Sequence, residues 1–138
     1  MTTNRNLNLP TPTDSELEIL QVLWQNAGGQ TVRFINERLN VLHPEKEIGY
    51  TTTLKLMQIM LDKGLLTRDI IERSHIYLPA VAEETTQTQL VRGFVDAAFR
   101  GSASSLVLRA LGDGATTPEE LEQIKALINR LENQNETP

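Results

Sequence analysis

The chain has no cysteine among its 138 residues. Disulfide frameworks, thiolate zinc fingers, thiolate metal sensing and cysteine nucleophiles are therefore excluded together. Only His43 and His75 remain as imidazole ligands or bases, and neither sits in a metal-binding or triad spacing. Six aromatic residues are too few for a row of base-stacking platforms, which disfavours a single-strand binder. No apolar run approaches the ~18 residues that a membrane helix needs. The first ten residues, MTTNRNLNLP, lack the charged-then-apolar pattern of a signal segment, so a soluble, cytoplasmic protein is expected. Positive charge is also scarce, with 13 Lys and Arg against 18 Asp and Glu. That balance argues against a surface that clings to nucleic acid everywhere. Gly28-Gly29 has neither the preceding strand nor the lysine of a phosphate-binding loop.

A 39% hydrophobic content supports one ordinary domain or two small ones with a real core. The charge is divided unevenly. Residues 1–82 hold eight basic and nine acidic side chains, the remainder five and nine, so only the first part is suited to face phosphates.

Thr13-Asp14-Ser15-Glu16 is a capping box that opens a first helix. Leu17, Leu20, Leu23 and Trp24 form its stripe with Ile19 beside it, and Gly28-Gly29 ends it. Thr31 is placed to cap a second, short helix that turns Val32, Ile35 and Leu39 inward. A loop with Pro44 follows, in which His43 is expected to be solvent-exposed. Gly49 to Lys63 reads as a third helix closed by Gly64. The period then changes. Leu65 to Ile70 and Ser74 to Leu78 read as short strands around Ile71 to Arg73, with Pro79 stopping the second. Three helices and a hairpin are the order of a winged helix-turn-helix, a fold that some proteins use without binding DNA.

Beyond Pro79, a fourth helix from Glu83 or Glu84 carries Leu90, Phe94, Ala97 and Ala98, with Gly101 as a break. Gly93 within it indicates either close helix approach or a site that yields to a signal. A short helix, Ser102 to Leu111, bears Leu106, Val107 and Leu111. Thr117-Pro118-Glu119-Glu120 is a second capping box, starting a helix with Leu121, Ile124, Leu127, Ile128 and Leu131 in its stripe. Asn133 to Pro138 is polar and expected to fray. Core packing is the commoner origin of such a stripe, a protein-binding face the alternative. Three helices of this size enclose little core alone, so a second copy of the chain is the expected partner. A two-fold dimer would set two winged heads against two half-sites.

The run GYTTTLKLMQIMLDKGLL, residues 49 to 66, resembles the recognition helix and following strand of the penicillinase repressor family. Thr13–Leu23, Thr31–Leu39 and Thr117–Leu131 fit that family's first, second and last helices, so the resemblance spans roughly residues 9–132. It implies a bacterial transcriptional repressor that binds operators as a homodimer. In the antibiotic-resistance branch the partner is a membrane sensor protease that cleaves an Asn-Phe pair, at whose position this chain has Arg109-Ala110. The Cys-x-Cys metal site of the copper branch has no counterpart here.

On the third helix, Leu56, Met57, Met60 and Leu61 are assigned to the buried face, with Thr51, Thr52, Lys55 and Gln58 on the other. Any surface helix supplies a polar face. The functional reading is that Thr51 and Thr52 reach phosphates or base edges near the helix start, Lys55 phosphate or guanine, and Gln58 adenine. Leu54 and Ile59 either touch thymine methyls or pack on the wing, and Tyr50 is expected to be a core anchor rather than a phosphate donor. At the hairpin, Arg68, Arg73, Ser74 and His75 are candidates to grip the backbone, opposed by Asp69 and Glu72.

The expectation is thus a mainly α fold with a small β-hairpin, a winged helix-turn-helix over residues 1–80 and a helical dimerisation region over 81–138. The candidate DNA-binding residues are Thr31, Thr51, Thr52, Lys55, Gln58, Arg73 and Ser74. The candidate dimer interface is Leu90, Phe94, Leu106, Leu121, Ile124, Leu127, Ile128 and Leu131. Double-stranded operator DNA and a second copy are the partners, with no membrane insertion, catalytic activity, metal or cofactor expected. The alternative function is a winged-helix adaptor that binds protein and not DNA.

Overall fold

The computed structural model describes residues 10–136. The signal-segment reading and the last two residues lie outside them. In chain order the elements are α1 (Asp14–Gln25), α2 (Val32–Leu42), α3 (Tyr50–Lys63), β1 (Leu66–Ile71), β2 (Ser74–Pro79), α4 (Glu83–Phe99), α5 (Ala103–Gly112) and α6 (Pro118–Glu136). This is a winged helix-turn-helix order followed by helices. The chain divides within α4 into two compact units, one ending at Val91 and the other beginning at Arg92.

In the first unit, both halves of the Thr13/Glu16 capping box are formed, with Thr13 N–H donating to Glu16 Oε1 at 2.9 Å and Glu16 N–H to Thr13 Oγ1 at 3.3 Å. The buried face of α1 is Ile19, Leu20, Val22 and Leu23, while Leu17 is half-buried. The face is wider than a single stripe because α2, α3 and β2 all pack on α1. Thr31 caps α2 through Phe34 N–H at 3.1 Å, and Val32, Ile35 and Leu39 join the core. Trp24 Nε1–H donates to Val81 O at 3.1 Å, tying α1 to the segment after the hairpin.

β1 and β2 pair antiparallel from Leu66↔Pro79 to Ile71↔Ser74, so Ile71 belongs to the strand and not to the loop. The turn is only Glu72 and Arg73, with φ of 51° and 70°. That mirror-image geometry matches strand twist but ordinarily recruits Gly or Asn, so the sequence carried no signal for it. A third segment joins the hairpin through a bridge between Gln30 and Tyr77, with N···O distances of 3.0 and 2.9 Å. Gly29 (φ 84°) makes this approach possible, since a Cβ there would lie 2.5 Å from Ile76 Cγ2.

In the second unit, Arg100 and Gly101 take positive φ, ending α4. Ser102 caps α5 by accepting from Ser105 N–H at 3.2 Å. The Thr117/Glu120 capping box starts α6, at 2.9 and 3.1 Å. α6 runs through Asn133 to Glu136, where fraying was expected. Asn and Gln, though weaker helix formers than Ala, do not break a helix. Among the described residues nothing lies within 4 Å of a Cβ built at Gly93, so the structure shows no close helix approach there.

Candidate nucleic-acid interface

α3 begins at Gly49, which offers no side-chain cap. Its hydrogen-bond ladder starts with Thr53 N–H to Gly49 O at 3.2 Å, leaving the amides of the first turn to point out of the helix end. The other end is closed by Gly64 in the left-handed conformation (φ 84°), with Leu65 N–H reaching Met60 O at 2.9 Å. Both ends of this helix are therefore fixed without occupying its outer face.

Thr53, Met57 and Met60 form the buried side of α3, while Leu54, Leu56 and Leu61 are partly buried against the core. Leu54 thus packs inward, whereas Ile59 is exposed. At ~100° per residue, Thr51, Lys55 and Gln58 share one face and Thr52 flanks it. All four are exposed. Asp62 follows on the same face and is exposed too. Tyr50 is 51% exposed, so it is no core anchor: it precedes the first buried residue of α3, Thr53, and lies outside that helix's buried side.

The remaining candidates belong to the same unit. Thr31 is half-buried and its hydroxyl oxygen is committed to capping α2, with the hydroxyl hydrogen still available to donate. Arg73 lies in the turn and Ser74 opens β2, both exposed. Beside them Ile70 and Ile71 are exposed apolar residues on the wing. Arg68, Asp69, Glu72 and His75 keep the wing mixed in charge.

Two interactions that hold this surface escaped sequence reading. Glu16, only 2% exposed, accepts from Lys63 Nζ at 2.7 and 2.9 Å, joining the start of α1 to the end of α3. Burial raises this carboxyl, but hydrogen bonds from Lys63 and Thr13 together with the Lys63 charge outweigh it, so its pKa lies below the ordinary value. His43, expected in solvent, is half-buried, with Nε2 2.7 Å from Glu18 Oε2 and Nδ1 3.4 Å from Glu45 Oε2. Its backbone N–H bonds Leu39 O as the C-cap of α2, which turns the ring back onto α1.

The candidate interface residues, Leu90 at the end of the first unit and the others in the second, divide by exposure. Phe94, Leu121, Leu127, Ile128 and Leu131 are exposed, whereas Leu90, Leu106 and Ile124 are half-buried. Leu108, 73% exposed, and Val107 extend this apolar surface onto α5. α5 has no buried residue, and on the apolar stripe of α6 Leu121, Leu127, Ile128 and Leu131 are exposed and only Ile124 is half-buried.

Among the described residues no group of three or more His, Cys, Asp or Glu is placed to hold a metal ion. No helix among them is long and apolar enough to cross a membrane.

Comparison with known proteins gives a match to the family model described as Penicillinase repressor over residues 12–130. The penicillinase repressor of Bacillus licheniformis is 22% identical over 125 residues, covering 91% of this chain and 94% of that one. The methicillin resistance regulatory protein MecI of Staphylococcus aureus (strain N315) is 20% identical over 116 residues, covering 84% and 91%. The MecI protein of Staphylococcus epidermidis matches at the same identity and coverage. With the family model spanning all of the elements that build the head and α6 as far as Arg130, the chain belongs to the penicillinase repressor family, whose members are DNA-binding transcriptional repressors.

Proposed function

We propose that this chain is a homodimeric, sequence-specific repressor of transcription that binds a palindromic operator and works in the cytoplasm without catalytic activity. Residues 1–80 form the DNA-binding head and 81–138 the dimerisation region. The observation that carries this reading is the outer face of α3, where Thr51, Thr52, Lys55 and Gln58 are all exposed above the buried Thr53, Met57 and Met60. An amphipathic helix of this kind, clear of covering protein, is the shape that the wide groove of a duplex admits. The uncapped first turn directs amide groups and positive dipole toward phosphate, near Thr51 and Thr52. Lys55 and Gln58 supply phosphate or base-edge contacts. Arg73 and Ser74 bring the wing to the backbone, and Thr31 adds a hydroxyl donor at the start of α2.

The head is nearly neutral, so affinity comes from a few placed contacts doubled by symmetry and not from bulk charge. Dimerisation covers the exposed side chains of Phe94, Leu121, Leu127, Ile128 and Leu131, together with Leu90, Leu106 and Ile124. Relief of repression by a membrane sensor protease is the family resemblance's contribution. Arg109 and Ala110, at the corresponding position, are exposed within α5, so cleavage there requires that helix to unwind locally.

The test is a titration of the protein against the duplex upstream of its own gene and a scrambled duplex of equal length. A salt-sensitive preference for the former is expected, and Lys55→Ala lowers that affinity by about tenfold while leaving the helical content unchanged. An equal affinity for both duplexes contradicts the reading.

A further inference from the structure

The recognition helix is aimed by two asparagines of α2 that touch none of its outer face. Asn40 holds the backbone of Ile48 on both sides: its Oδ1 accepts from Ile48 N–H at 2.7 Å, and its Nδ2 donates to Ile48 O at 3.0 Å and to Asn36 O at 2.9 Å. Asn36 Nδ2 donates to the same Ile48 O at 2.9 Å and to Thr53 Oγ1 at 2.9 Å. Thr53, 1% exposed, passes the chain on by donating to Gly49 O at 3.4 Å. Every amide hydrogen of the two Nδ2 groups thus meets an oxygen, and reversing the Asn40 amide would set its oxygen against two carbonyls.

Ile48 immediately precedes Gly49, the residue that caps α3 without a side chain. The start of most helices is fixed by a capping side chain of their own. Here the fixing comes from α2, through backbone groups of residues 48 and 49 and the buried Thr53. We infer that Asn36 and Asn40 are positioning residues for operator recognition, setting the direction and rotation with which α3 presents Thr51, Thr52 and Lys55. This rests on the reading of α3 as the groove-binding helix. Specific recognition needs side chains held to a fraction of an ångström, whereas attraction to phosphates tolerates a mobile helix start. Loosening the clamp therefore removes discrimination before it removes binding.

The experiment uses the full chain and the duplex enriched from a random-sequence pool by repeated selection on the wild-type protein. Affinities for that duplex and for an unselected random duplex are measured for wild type, Asn40→Ala, Asn40→Asp, Lys55→Ala and Val22→Ala. Asn40→Asp keeps the acceptor for Ile48 N–H but turns a carboxylate toward carbonyl oxygens, and Val22→Ala thins the core away from the clamp. Asn40→Ala and Asn40→Asp are expected to lose about tenfold or more on the selected duplex and to stay within about twofold on the random one. Val22→Ala lowers the melting temperature while keeping the wild-type ratio of the two affinities. The positioning role is overturned if the Asn40 variants that fold keep the wild-type ratio, or if Val22→Ala loses it equally. If wild type enriches no sequence, or Lys55→Ala binds the selected duplex as wild type does, the failure lies with α3 as the reading helix.

Discussion

The head and the helical region beyond it solve burial in opposite ways. The head encloses Ile19, Leu20, Leu23, Ile35, Met57, Met60, Leu65 and Tyr77 almost completely, and closes its sheet with a third segment at Gln30. The unit beginning at Arg92 buries Val95 alone among its large apolar residues, and leaves Phe94, Val107, Leu108, Leu121, Leu127, Ile128 and Leu131 open. One region is a finished fold within a single chain. The other has the periodicity and caps of well-formed helices but leaves most of their apolar side chains exposed. Good local helix signals therefore do not reveal whether a stripe faces its own chain or another one, because both make the same pattern.

The largest effect is expected from breaking the unfinished side. Leu127→Asp places a charge among the exposed Leu and Ile of α6, and sedimentation should show a monomer where the wild type is expected to sediment as a dimer. Since two heads bind as one unit only when joined, operator affinity should fall by more than about a hundredfold. A variant that remains dimeric would move the seam away from α6. The head should fold regardless.

On the finished side, Glu16→Gln removes the charge partner of Lys63 and weakens a nearly buried pair that is exposed only at its lysine end. A loss of about 2 kcal/mol in head stability is expected by denaturant titration. The carboxyl's pKa is lowered by folding, so its contribution is complete above the ordinary value of 4.5 and is lost as pH falls below it through the folded value. Wild type should lose stability over that acid range more steeply than Glu16→Gln. Equal slopes would remove Glu16 from the acid response.

The smallest effect concerns charge. If each near-neutral head makes about three phosphate contacts, the dimer's log K against log salt should have a slope of about −5. A slope near −10 would mean that bulk positive charge, which this chain lacks, drives binding.

Much of the head could be read directly. Thr13, Thr31 and Gly64 mark element ends through local chemistry, and the alternation of Met and Leu in α3 selects its inner face. What escaped were pairings distant in sequence and turns without their usual residues. Glu16 and Lys63 are each ordinary in context, a capping acid and a last-turn base, and only the fold brings them together. Asn36 and Asn40 carry no signal in the sequence of α2, yet their amides hold the loop that the third helix starts from. Glu72-Arg73 forms a tight turn with neither Gly nor Asn, so the strand ended later than its residues suggested. The candidate groove-facing residues were legible because exposure and helical spacing are properties of one segment. The exposed apolar residues of α6 were legible as a stripe only, and what covers them is a matter of partners that the pattern does not name.

The most direct test is a footprint of the wild-type protein on the duplex upstream of its own gene. Two protected half-sites related by a dyad and centred about one or more helical turns apart are expected, with protection in the major groove lost in Lys55→Ala. A single protected stretch without two-fold symmetry, or none that distinguishes this duplex from a scrambled one, would contradict it.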